Sequence, residues 1–187
     1  MAQTAAELFV AGISGGHMWF GAVGATLPTL LAAPTTGWTE AGYLSEDGFA
    51  TSQDIGTEDL KVWPLLSPAR SVVTEQSVEL SLALAQWNAD TLGLYWGGTW
   101  TEDVPSGVKT LTVPNTRSLD LAVIIDATDG DRTYRYIIEQ ASISGFEEIT
   151  HKLGEPSLLG FTMKILAADD TYWFKILTDD TAVVVPV

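Results

Sequence analysis

From Arg70 to Leu84 the chain alternates. Val72, Val78, Leu80, Leu82 and Leu84 share one parity, and Ser71, Glu75, Ser77, Glu79 and Ser81 share the other. A period of two over this length predicts a long, half-buried β-strand with one polar, acidic face. Next, Trp87 to Trp96 places Trp87, Thr91 and Leu94/Tyr95 at helical spacing, with Asn88 or Asp90 as N-cap and Gly97-Gly98 as the stop. It predicts one short helix at about residues 88–96. Short strands follow at Val108–Val113 and Leu119–Asp126, the latter with Leu121, Val123 and Ile125 on one face. Asp129-Gly130 signals a hairpin into Thr133–Ser144, and Leu158–Ala167 pairs with Tyr172–Leu177 across a short turn. Ala182–Val187 could add a last strand. So many strands beside one helix predict a mainly β fold, a β-sandwich or partly closed barrel.

The N-terminal third reads differently. Residues 1–33 suggest an extended arm leading into a first strand, and residues 34–69 show neither period. A long structureless stretch is uncommon inside a compact domain and tends to be functional or ordered by a partner. This one holds Trp38, Tyr43, Phe49 and Trp63, side chains that are costly to leave in water. It is therefore expected to be a loop packing against something outside its own subunit. The β core then occupies residues 70–187, and the 187 residues form one domain.

Composition narrows the function. Twenty-four acidic residues against nine basic ones give a formal net charge of −15, which excludes a basic nucleic-acid reader. With no cysteine there is no disulfide scaffold, thiol nucleophile or Cys-ligated metal. A hydrophobic fraction of 46% with 18% charged residues excludes a wholly disordered acidic chain. The first residues lack the basic region of a secretory signal, and the apolar stretch Met18–Ala33 is interrupted by Gly21, Gly24 and Pro28. The expectation is a soluble, unprocessed chain without a membrane span.

Candidate chemistry is sparse. Gly12-Ile13-Ser14-Gly15-Gly16 matches a nucleophile-elbow pattern but lies in no alternating strand–helix context, so a flexible arm explains it better. The two histidines, His17 and His151, lie in no metal-ligand spacing. Asp126–Asp131 has a faint calcium-loop look without the bidentate Glu, and reads as a hairpin turn. Asp169-Asp170 and Asp179-Asp180 read as solvated turns. No phosphate-binding glycine loop is present, no acid–base–nucleophile set emerges, and no cofactor is implied. The seven tryptophans admit a carbohydrate-stacking module as a rival, although core or subunit-contact roles account for them better.

One stretch carries a resemblance. Gly37-Trp38-Thr39-Glu40-Ala41-Gly42-Tyr43-Leu44-Ser45-Glu46-Asp47-Gly48 resembles a motif of major tail tube proteins of long, non-contractile (siphovirus-type) bacteriophage tails, those of actinobacterial hosts most of all. Glu58-Asp59-Leu60-Lys61-Val62-Trp63 and Tyr95-Trp96-Gly97 follow at positions similar to further motifs of that family. The chain departs from it in a hydrophobic arm around Phe9 and Met18–Phe20. The resemblance implies a non-enzymatic virion protein, assembled in the host cytoplasm into hexameric rings that stack helically into a hollow tube. DNA would pass through without specific binding, and tape-measure, tail terminator and tail-tip proteins would be partners. A related ring-forming tail or secretion-tube protein is the nearest alternative. On this reading Phe9, His17, Trp19, Trp38, Tyr43, Phe49 and Trp63 are expected at subunit contacts. Glu75 and Glu79, on the polar parity of their strand, are expected to line an acidic lumen that repels DNA.

Overall fold

The computed structural model describes residues 9–11, 16–29, 31–64, 67–167 and 171–183. The Ser14 elbow pattern, the Asp169-Asp170 turn and the last four residues of the expected terminal strand lie outside them. Chain order runs β1 (Gly16–Gly21), β2 (Trp38–Leu60), β3 (Arg70–Leu84), α1 (Ala89–Trp96), β4 (Thr99–Asp103) and β5 (Val108–Thr112). Then come β6 (Asp120–Asp129), β7 (Arg132–Phe146), β8 (Leu159–Ile165) and β9 (Lys175–Thr178). One seven-stranded sheet has the order β6-β1-β2-β3-β8-β7-β9, and β4 and β5 form a separate hairpin. Because β6 also pairs with β7, the large sheet curls back on itself without making a clean barrel. The mainly β fold with one short helix is as expected.

Alternation builds the interior. Val78, Leu80, Leu82 and Leu84 of β3 meet Leu121, Val123 and Ile125 of β6 and Leu159, Phe161, Met163 and Ile165 of β8 in the main core. A second, smaller cluster lies on the other side of the sheet. There Trp19, Trp38, Ala122, Ile124 and Ile137 are covered by Ala25 and Leu27 of the β1–β2 connection and by Leu177. Residues 121–127 of β6 are consequently buried without interruption, the mark of a strand covered on both faces.

Arg135 fastens that covering segment. It is 1% exposed and grips Asp126 through two hydrogen bonds, Nε to Oδ1 at 2.7 Å and Nη2 to Oδ2 at 2.6 Å. Its remaining donors reach the carbonyls of Ala32 at 2.7 Å and Leu31 at 3.1 Å. Asp126 and Arg135 are cross-strand partners, so the register of the β6–β7 hairpin creates the pair. Asp126 thus belongs to this clamp and not to the turn at its end.

Helix α1 begins as its sequence dictates. The Asn88 side chain accepts from Thr91 N at 2.8 Å and the Thr91 hydroxyl accepts from Asn88 N at 3.0 Å, a reciprocal capping box. Gly97 ends it at φ +65°, and buried Thr91 and Tyr95 face the body. The Tyr95 hydroxyl donates to the Glu147 carbonyl, and burial pushes its pKa up.

Five local expectations need correction, the first of them the pairing of Leu158–Ala167 with Tyr172–Leu177: β8 pairs with β3 and β7, and β9 with β7, so these two strands do not pair with each other. The stretch 34–69 is no structureless loop, because Trp38–Leu60 is a 23-residue strand. Its distal half has no buried face in this chain, and without burial a strand shows no alternation. The single parity assigned to β3 breaks at Thr74. Gly56 pairs with Glu75 but Thr57 with Val73, so Thr74 is an extra bulged residue and Val72 moves to the face of Glu75 and Glu79. Strand β4 was not anticipated. Lastly, Asp180 is not a solvated turn residue: it is 8% exposed, accepting from the Tyr134 hydroxyl at 2.7 Å and from Ala182 N at 2.9 Å. Asp179 accepts from Thr133 N at 2.8 Å, so the two carboxylates tie the chain end to β7.

Candidate functional site

The unusual feature is where β2 and β3 outrun the body. Strand β1 covers one edge of β2 only as far as Tyr43, and β8 covers β3 only from Val78 onward. Beyond those limits residues 54–60 and 70–77 pair with nothing but each other. Every residue of this two-stranded ribbon is exposed except Gly56, Val72 and Ser77, which are half-buried. Both faces and both edges are therefore open. A lone two-stranded ribbon is marginal in water, and its unpaired edges are templates for added strands.

Register sorts the ribbon's side chains. Asp54, Glu58, Glu75 and, at the ribbon's root, Glu79 share one face, because Asp54 pairs with Ser77, Gly56 with Glu75, Ser52 with Glu79 and Glu58 with Val72. The parity of β3 alone revealed two of these carboxylates. Asp54 and Glu58 join them only through pairing across the hairpin. On β8, Lys164 sits opposite Glu79, so the acidity of this face is densest on the ribbon itself. The other face carries exposed Ile55 and Val73. The ribbon's cations, Lys61 and Arg70, sit at its far end, beside Val62 and a Trp63 that is 96% exposed.

At the ribbon's root β2 swells outward. Leu44 pairs with Leu84 and Phe49 with Leu82, so Ser45–Gly48 form an excursion against one residue of β3. Just before it, Gly42 has φ +79°, and an added Cβ would lie 2.0 Å from Gln86 Oε1. This irregular point of the strand, beside the bulge against Met18 and Trp19, thus favours glycine. Between the excursion and the β6–β7 hairpin runs a cleft lined by Phe9, Tyr43, Phe49 and Tyr136, with Glu46 and Asp47 beside them.

The expected contact residues fall into two groups. Trp19 and Trp38 fill the second core cluster, with Trp38 Nε1 donating to Thr26 O at 2.9 Å. Burial within their own chain leaves these two little surface to offer a neighbour. Phe49 is half-buried against the main core and edge-on to Tyr136 at 5.4 Å. Phe9 is exposed against Tyr134, and His17 is exposed, stacked on Trp19 and 3.0 Å from Glu40. Tyr43 and Trp63 are the strongly exposed ones. His151 accepts or donates at 2.7 Å to the Ser157 hydroxyl and leans on Trp87, as a surface residue does. Among the described residues no cluster of His, Asp and Glu could hold a metal, and no helix is long and apolar enough to cross a membrane.

A closed body bearing a ribbon open on all sides is the build of a protein that associates through β-structure. A family model described as phage tail tube protein matches residues 1–187, and the chain belongs to that family. It is accordingly a structural component of a virion tail and not an enzyme. Its fold is similar to a chain of an extracellular contractile injection system, the PVC sheath–tube complex in the extended state. There the identity is 8% and the TM-score 0.43, over 95% of this chain and 99% of that one. A chain of the anti-feeding prophage baseplate is similar at 12% identity and a TM-score of 0.44, over 91% and 97%. No curated protein matches the chain.

Proposed function

We propose that the subunit assembles into hexameric rings that stack helically into the hollow tube of a long, non-contractile tail. The observation that carries this reading is the ribbon, exposed on both faces and both edges. A contact between two different patches of one chain closes into a ring or runs on as a filament, and a tube needs both kinds. Subunits made in the host cytoplasm stay soluble through their charge of −15 until they meet a growing end. Tape-measure, terminator and tip proteins act at the finished tube.

The ribbon face with Asp54, Glu58 and Glu75, continued by Glu79 at its root, lines the channel on this reading. Carboxylates repel the phosphates of passing DNA, where Lys and Arg would bind them. Negative-stain microscopy of concentrated protein tests the assembly, with stacked rings or tubes expected and a monomer at every concentration overturning it. A density map of such tubes with Glu75 and Glu79 on the outer wall would refute the acidic channel.

A further inference from the structure

Two features of the surface are unsatisfied in a complementary way. One is the tip of the ribbon, where Val62 is 51% and Trp63 96% exposed next to Lys61. The other is the cleft of about 800 Å³ at the ribbon's root, with the rings of Phe9, Tyr43, Phe49 and Tyr136 in its walls and Glu46 and Asp47 at the excursion. Its size suits several side chains, and its apolar walls with acidic neighbours suit an indole carried beside a cation.

The cleft cannot be filled by its own tip. Phe49 and Thr51 line the cleft, while Leu60 lies at the other end of the same extended strand. At ~3.3 Å per residue that distance is roughly 30 Å. A body of this length has a radius of gyration of about 16 Å, so the tip reaches well into the space of an adjoining copy. Charge points the same way. In a chain of net charge −15, the ribbon's cations Lys61 and Arg70 sit at its tip, and the excursion offers Glu46 and Asp47.

We propose that the cleft receives the ribbon tip of a second copy of this chain, with Trp63 as the buried anchor and Lys61 facing Glu46 and Asp47. This rests on the tube reading above and specifies which surfaces meet. The contact is heterologous, knob into socket, so each copy both gives a tip and receives one. A buried aromatic at the centre of a contact dominates its energy, and the ion pair sets register and partner choice.

The absence of cysteine makes cross-linking clean. Lys61→Cys and Asp47→Cys proteins, neither of which can form the expected disulfide alone, are mixed, allowed to assemble and oxidised. A disulfide-linked pair of the two variants is expected. Trp63→Ala should raise the concentration needed for assembly about tenfold or more, with the melting of the unassembled subunit unchanged. Lys61→Glu should weaken assembly, and adding Glu46→Lys in the same chain should restore it. If tubes form but the mixed pair never links, or if Lys61→Cys links to itself, the knob-and-socket contact is wrong while the tube reading stands. If Trp63→Ala assembles as the parent does, the contact is likewise wrong. If no variant nor the parent ever assembles, both fall together.

Discussion

Strand β6 and the distal half of β2 are built from similar lengths of extended chain, yet their surroundings are opposite. Residues 121–127 of β6 are all buried, with neighbours on both faces and both edges. Residues 50–60 of β2 are all exposed except Gly56, with one neighbour at one edge. The composition follows: β6 reads Leu-Ala-Val-Ile-Ile, whereas β2 reads Thr-Ser-Gln-Asp-Ile-Gly-Thr-Glu-Asp. The first stabilises the subunit and the second is left for association. The body should therefore govern whether the chain folds, and the ribbon should govern whether it assembles.

The largest expected break in that contrast is at the clamp. Arg135→Ala leaves Asp126 buried without its cation and strips the Leu31 and Ala32 carbonyls of donors. It should cost about 3–5 kcal/mol in denaturant unfolding of the unassembled subunit. Leucines give a matched pair. Leu80→Ala, fully buried in β3, should cost about 2–5 kcal/mol. Leu60→Ala, 48% exposed at the end of β2, should change subunit unfolding by less than about 0.5 kcal/mol. Equal losses would show that the ribbon belongs to the folding unit. Asn88→Ala removes the capping box of α1 and should cost about 1 kcal/mol, read as a lower midpoint in the same titration.

The smallest effect depends on pH. The Ala182 amide and then the Tyr134 hydroxyl hold the Asp180 carboxyl below its ordinary value. A depressed carboxylate stabilises the fold above its unfolded pKa, and that contribution is lost as pH falls through the folded value. Asp180→Asn should thus lower the thermal midpoint at pH 7, and the difference from the parent should close in acid. A gap that persists to low pH would mean the effect is steric. The same hydrogen bond to Asp180 raises the Tyr134 pKa, so this tie also weakens as pH rises through that raised value.

How much could be read ahead depended on whether a residue's partners lay in its own chain. The buried side of β3, the capped helix and the β6–β7 hairpin were legible because burial writes a period and caps have their own chemistry. Trp38 and Trp63 were not separable by sequence, since both are tryptophans in a region without pattern. One proved to fill a core and the other to stand in solvent. Glu75 and Glu79 were found by parity, but Asp54 and Glu58 needed the hairpin's register to join them. Asp180 read as a turn and is a tie, because Tyr134 reaches it from a strand 46 residues away.

Alone, the order of residues determined a mainly β chain, its net charge of −15, the place of its helix and the motif that points to its family. These depend on neighbours a few positions apart or on simple sums. Only the tertiary structure decided that the unpatterned stretch is a strand, that the sheet curls back on itself, and that one ribbon is left over. Pairing brings together residues distant in sequence, and a strand that buries nothing leaves no periodic trace of itself.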